Sequence, residues 1–355
     1  MMETLEEGIV TEDQMNAWDS FVESHPRGSI YHTSNWGNVV NNAYGHQSQY
    51  FALFDKQGKI VAGLPVFTIN SAISGKRYSS VPCGQTCTPL VQNFSQYHQL
   101  KQSILDSMRI HDIQSWELKT TAQFLLESGD KSSVCDEYGT YVLPLENNPS
   151  ALFRRFHKSC IQRSIGKAKR IGLEVKRCRN RRDLKDFFRL YLSMRKKEGL
   201  LPQPRRFFDM LWDSMFPKGR IEVLYAVNKG RVISTILLLR FKDIVSYEYG
   251  ATEYGMQNTG ASPFLIWEAI RKAAKDNYRL FDFGRTGRND SGLKNFKRRW
   301  GASLEPFVYY SVTLEGSVGA LRQRNKARIL MATMVHMLPL TACALAGRLV
   351  YRHLV

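Results

Sequence analysis

Acidic side chains are what this sequence has too few of. Its 355 residues carry 32 Asp and Glu against 50 Lys and Arg, a formal net charge of +18. A balance this basic implies an anionic partner: nucleic acid, a phosphorylated small molecule or an acidic membrane surface. No helix-turn-helix, zinc finger or RNA-platform motif accompanies the charge. Cysteine is sparse. Of Cys83, Cys87, Cys135, Cys160, Cys178 and Cys343, only the first two are close, and no second pair or His cluster completes a zinc site. At this density free thiols in a reducing compartment are favoured over a disulfide framework. The opening MMETLEEGIVTEDQ has no apolar core, so it does not read as a signal peptide, and a cytoplasmic location is expected. Low-complexity tracts are absent too. With 43% hydrophobic residues the chain can bury a core in each of two ordinary domains.

What is present alternates between helix and strand patterns. Residues 12–24 read as an amphipathic helix, and Tyr50–Phe54 and Ile60–Ile69 as a hairpin around Asp55-Lys56-Gln57-Gly58. Gln92–Ile110 reads as a helix, and Trp116–Lys119 and Tyr141–Leu145 as strands. From about Pro149 the pattern restarts with a helix over 151–171, ended by Gly172. A strand over 173–175 and helices over 183–198 and 204–215 follow. The hairpin Ile221–Val227 and Val232–Phe241 resembles the first one in length, Lys/Gly turn and apolar return strand, which points to two copies of one α/β unit. Ile244–Gly250 is the next strand. Ser262 and Pro263 read as the cap and first position of a helix to about Asp276, and Leu280–Phe283 as a last short strand.

That strand carries Asp282 between Phe281 and Phe283, on the opposite face from both. As function, Asp282 would orient an amine or take its proton. As structure, it would pair with Arg285 and fix the turn.

Residues 247–302, YEYGATEYGMQNTGASPFLIWEAIRKAAKDNYRLFDFGRTGRNDSGLKNFKRRWGA, resemble the FemAB-like branch of the GNAT acyltransferase superfamily, most specifically in FDFGR followed by FKRRWG. LFRRFHKSCIQRSIGKAKRIGLEV at 152–175, SNWGNVV at 34–40 and the hairpin at 51–67 extend the resemblance over most of 20–312. It implies an α/β (α+β) fold of two tandem GNAT-like domains, each a mixed, mainly antiparallel sheet flanked by helices. The boundaries expected are 1–147, 148–315 with the site, and a basic and apolar helical tail at 316–355. The implied activity is transfer of an acyl or aminoacyl group to an amine of a cell-envelope or exopolysaccharide precursor. The donor would be acyl-CoA or aminoacyl-tRNA, and no cofactor would be held permanently. Two departures leave the donor open. The Gln/Arg-x-x-Gly-x-Gly pyrophosphate loop is not evident, and no coiled-coil arm interrupts the second domain.

Amine acylation needs a neutral nucleophile, a stabilised oxyanion and a neutralised leaving group. The resemblance places Lys297 where a lysine meets charge on the donor, beside Phe296, Trp300 and Lys294. Tyr247, Tyr249 and Tyr254 would border the same cleft, with Tyr249 as the acid and on the same strand face as Tyr247. Arg285 would bind substrate. The segment 154–182 holds twelve Lys and Arg against Glu174 alone, and Arg163 and Lys167 on it would meet an anionic or lipid-linked acceptor or tRNA. Residues 316–355 carry six Lys and Arg and no acid, with an uncharged run at 329–347. Such a segment suits either a docked helix or one lying on the inner face of the cytoplasmic membrane. Without catalysis, the same charge would describe a nucleic-acid-binding or membrane-surface protein with a degenerate acyltransferase fold.

Overall fold

A computed structural model describes residues 5–73, 75–129, 134–314 and 333–354. The basic half of the expected tail, including Arg322, Arg324, Lys326 and Arg328, lies outside them. The chain forms two compact units. One comprises Met1–Tyr138, Pro306–Gln323 and Arg352–Val355; the other comprises Gly139–Glu305 and Arg324–Tyr351. They do not divide at 147 and 315, because a late strand returns to the first unit.

In the first unit β1 (Glu6–Ile9), α1 (Met15–Ser24) and α2 (Ser34–Tyr44) precede β2 (Gln47–Phe54), β3 (Ile60–Ser71) and β4 (Gly75–Ser79). Then come α3 (Phe94–Ile110), β5 (Ser115–Thr121), α4 (Ala122–Glu127) and the start of β6 (Val134–Pro144). The residues of β12 (Ser303–Thr313) from Phe307 onward pair antiparallel with β5. The other pairings are antiparallel except β4 with β5, which run parallel. Trp18, Trp36, Trp116 and Phe67 are fully buried in its core.

The second unit repeats the pattern. Helices α5 (Pro149–Arg155) and α6 (Arg163–Arg170) lead to edge strand β7 (Glu174–Arg177), then α7 (Leu184–Lys197) and α8 (Arg205–Met215). The hairpin β8 (Ile221–Asn228) and β9 (Arg231–Phe241) follows, turning through Lys229 and Gly230 at φ 47° and 80°. Such left-handed pairs match the strands' own twist. Next come β10 (Ile244–Thr252), α9 (Ala261–Lys275), β11 (Leu280–Gly287) and α10 (Ser291–Arg298). The order is β6-β11-β10-β9-β8-β7. Again one pair, β10 with β11, is parallel, whereas β10 with β9, β9 with β8 and β8 with β7 run antiparallel. One core joins the sheet to α6 and α9 through Ile165, Leu238, Ile266, Ile270, Phe281 and Phe283.

Three local expectations change. The helix expected over 151–171 breaks at Phe156, which is extended, and at His157, whose ψ of 121° is not helical. There the buried Phe156 ring meets Trp300 at 5.0 Å, and the His157 amide donates to the Arg299 carbonyl at 2.9 Å. Tertiary contacts of this kind outweigh helix propensity. The chain resumes through a π turn, Lys158–Gln162. Helix α9 begins at Ala261, with Gly260 and not Ser262 as its cap. Gly260 sits at φ 77°, where a Cβ would lie 2.1 Å from the Ser164 carbonyl oxygen, so only glycine fits. Finally, α11 (Leu340–Leu354) docks through Cys343 and Gly347, both buried. Among the described residues no helix is long and apolar enough to cross a membrane.

Candidate active site

The second unit's parallel pair is the structural key. The β10–β11 ladder runs only from Ile244 opposite Leu280 to Ser246 opposite Asp282, although both strands continue. The two strands part just beyond it. At that point β10 carries a bulge between Tyr247 and Tyr249, and β11 bends at Gly284, φ 76°. A parallel pair that opens leaves backbone donors and acceptors without strand partners. Something else must satisfy them.

Lys297 is part of the answer. Helix α10 is capped by the Asp290 carboxylate accepting from the Leu293 amide at 2.9 Å. The helix is pinned by Trp300, which is fully buried between Phe156 and Phe283, with Phe296 edge-on at 6.2 Å. This delivers Lys297 inward. Only 2% exposed, it donates from Nζ to the Gly284 carbonyl at 2.5 Å and the Arg285 carbonyl at 3.2 Å, beside the Tyr141 ring. No ion pair is within reach among the described residues. Burial therefore lowers its pKa to about 8, with Asp282 the largest opposing influence and Asp290 and Glu248 adding to it.

Asp282 faces away from Phe281 and Phe283, as alternation requires. Its Oδ1 accepts from the Thr140 hydroxyl on β6 and from the Gly284 amide at 2.7 Å. The expected structural pairing with Arg285 is thus replaced by bonds to a hydroxyl and the backbone. Burial raises the Asp282 carboxyl, while Thr140, Gly284 and Lys297 act in the opposite direction. The Arg285 side chain is exposed. Around Lys297, the Tyr141 hydroxyl, Thr286 hydroxyl and Trp300 indole nitrogen are buried with no hydrogen-bond partner among the described residues. Each such group costs about 1–3 kcal/mol, so three around one strand mark an unusually polar interior.

The tyrosines separate. Tyr247 stands opposite Leu238, on the face packed by α9, whereas Tyr249 stands opposite Leu237. The bulge inserts one residue and reverses the alternation, so the expectation that the two share a face fails. Tyr249 packs edge-on among Phe187, Tyr191 and Phe208 of α7 and α8, 5.2 Å from the nearest ring centroid. Tyr247 is half-buried, and burial pushes its phenol up to about 12 with Glu198 adding to the rise. Its hydroxyl covers Gly250, where a Cβ would fall 1.8 Å from it. Tyr254 is 81% exposed under the Lys197 ammonium. Lys294 donates to the Arg288 carbonyl at 2.5 Å and so ties the turn before α10. Arg163 and Lys167 are exposed on α6, without partners among the described residues.

Sequence reading missed two features. The loop entering α9 reads Gln257-Asn258-Thr259-Gly260-Ala261-Ser262, a turn whose glycine starts the helix and which departs from the expected pyrophosphate-loop pattern only at Ser262. A groove of about 880 Å³ also lies between β7 and the last turns of α9, rimmed by Lys176, Arg179, Arg271 and Lys275. None of the expected site residues lines it. No cluster of three or more His, Cys, Asp or Glu suited to a metal occurs among the described residues.

The site is thus an opened parallel pair beside a glycine-started helix in a mainly antiparallel sheet. The family model "Acetyltransferase (GNAT) domain" matches residues 155–298. The crystal structure of FemX superposes with a TM-score of 0.69 at 15% identity, over 86% of this chain and 97% of that one. A tandem GNAT protein from the clavulanic acid biosynthesis pathway superposes at 0.54 and 12% identity, over 87% and 98%. In sequence, the chain is 21% identical over 294 residues to the UDP-N-acetylmuramoylpentapeptide-lysine N(6)-alanyltransferase of Weissella viridescens, covering 75% of this chain and 82% of that protein. Residues 155–298 thus match a GNAT acetyltransferase domain, and these similarities together support a FemAB-like acyltransferase.

Proposed function

We propose that the protein transfers an acyl or aminoacyl group to an amine of a cell-envelope or exopolysaccharide precursor, at the opening between β10 and β11. The observation that carries this reading is the Lys297 ammonium, buried yet bonded only to two carbonyls where the strands part. An ammonium so placed can polarise the donor carbonyl and stabilise the tetrahedral oxyanion in a dry site. The open edge of β10 offers amides to the same oxygen. Tyr247, with its phenol held protonated, is the better placed acid for the leaving group, and Tyr249 contributes packing. Asp282, its carboxyl raised by burial, is the candidate to take the amine's proton.

Both donor classes remain in play. The Gln257–Ser262 loop and the α9 N-terminus suit the phosphates of an acyl-CoA, whereas exposed Arg163 and Lys167 suit tRNA or an anionic, lipid-linked acceptor. A lipid-linked acceptor would in turn place the enzyme peripherally at the inner face of the cytoplasmic membrane, with contact through 316–355. Incubation with acyl-CoA, charged tRNA and candidate amino sugars, read by mass spectrometry, tests the reading. One donor should be consumed, and the Lys297→Ala variant should lose that turnover while staying folded. Unchanged turnover removes Lys297 from the mechanism.

A further inference from the structure

The end of the chain is apolar on both sides. Inward, Cys343 and Gly347 are buried, and a Cβ at Gly347 would sit 2.3 Å from the Pro202 carbonyl oxygen, so the helix lies flush on the second unit. Outward, Met334, Met337, Leu340, Leu345 and Leu349 are 57%, 82%, 42%, 56% and 60% exposed. Five of the fourteen large apolar side chains exposed in the described residues thus fall within sixteen consecutive positions. Surface helices of soluble proteins normally keep such an outer face polar. An exposed apolar stripe instead marks an interaction surface.

The charges around the stripe say what covers it. Arg348 and Arg352 are exposed on α11 one and two turns from Leu345, and neither makes an ion pair among the described residues. No acid occurs anywhere in 316–355, and Arg322, Arg324, Lys326 and Arg328 precede the stripe in sequence. A second copy docking through this face would set the arginines of both copies against each other, since a two-fold interface brings the same patch to itself. A surface that is apolar within and anionic at its border fits without that conflict. We infer that the 334–352 face lies in the plane of an anionic bilayer, with Met337, Leu345 and Leu349 at the acyl boundary and Arg348 and Arg352 on lipid phosphates. The helix is therefore docked on the protein by one side and on membrane by the other.

The inference deepens the membrane part of the proposed function and draws nothing from the chemistry at Lys297. Vesicle binding and donor consumption are separate readouts, and either can fail alone. The test is sedimentation of the full chain with phosphatidylglycerol or phosphatidylcholine vesicles, with light scattering alongside. Binding to phosphatidylglycerol should exceed binding to phosphatidylcholine at least tenfold. Leu345→Glu with Leu349→Glu should weaken it at least tenfold, and Arg348→Glu with Arg352→Glu should reduce the preference for anionic lipid. All four side chains are exposed, so the variants should melt as wild type does. No sedimentation of the wild-type chain, or equal sedimentation of the leucine variant, overturns the inference. So does a dimer that the leucine substitutions dissociate while vesicle binding is unchanged, which assigns the face to a second copy.

Discussion

Replacing Lys297 by methionine separates a functional cation from a structural one. Burial holds this ammonium near a pKa of 8 against an ordinary 10.5. At about 1.4 kcal/mol per pH unit, that gap is worth about 3 kcal/mol. Below pH 8 the group is charged in both the folded and the unfolded chain, and the folded state bears the whole cost. Between pH 8 and 10.5 the folded chain has released its proton while the unfolded chain still holds it, so stability rises across this window. Against the cost stand two donated hydrogen bonds, to Gly284 and Arg285, each contributing about 1 kcal/mol. Methionine keeps most of the side-chain length and gives up both terms. Its stability at pH 7 should lie within about 1 kcal/mol of wild type, and the alkaline rise should disappear. Turnover should meanwhile fall by about 10²–10³, the usual effect of removing one oxyanion donor. Urea melts at pH 7 and 9.5, with donor consumption at pH 7, measure all three. A loss of 3 kcal/mol or more at pH 7 would make Lys297 a staple of the fold and refute the reasoning.

Asp282→Asn keeps the acceptor for Thr140 and Gly284 but removes the largest influence sustaining the Lys297 charge. The alkaline limb of the rate profile should therefore move to lower pH; a limb that stays in place uncouples the two groups. Because burial raises the Asp282 carboxyl, stability falls as pH rises from the ordinary carboxylate range through the raised value, and the Asn variant should lack that fall in acid-range melts. Gly250→Ala puts a methyl onto the Tyr247 hydroxyl and should cost about 1–3 kcal/mol by overpacking, with a rise in donor KM if that phenol lines the opening. Gly260→Ala combines a left-handed backbone with a collision at Ser164. It should destabilise by more than about 1 kcal/mol, as denaturant titration would register.

Much of this protein was legible in its sequence because the signals were local. The hairpin turns at 55–58 and 228–230, the apolar periods and the restart near Pro149 report the duplicated α/β unit, since turn chemistry and side-chain alternation act over a few residues. The FDFGR strand and the FKRRWG segment drew attention to Lys297 and Asp282, which both have shifted titration at the strand opening. Roles within that segment were not legible. Trp300, expected against substrate, is core; Arg285 faces solvent; a single bulged residue sends Tyr249 to the α7–α8 side and leaves Tyr247 at the opening. A one-residue insertion in a strand reverses every later side chain without changing composition or period. The return of β12 to β5 and the docking of α11 through Cys343 and Gly347 were equally out of reach, because both are contacts between residues far apart in the chain. Charge and pattern determined what kind of protein this is. Only packing decided which of its polar groups are kept dry and which face solvent, since that depends on neighbours the linear order does not name.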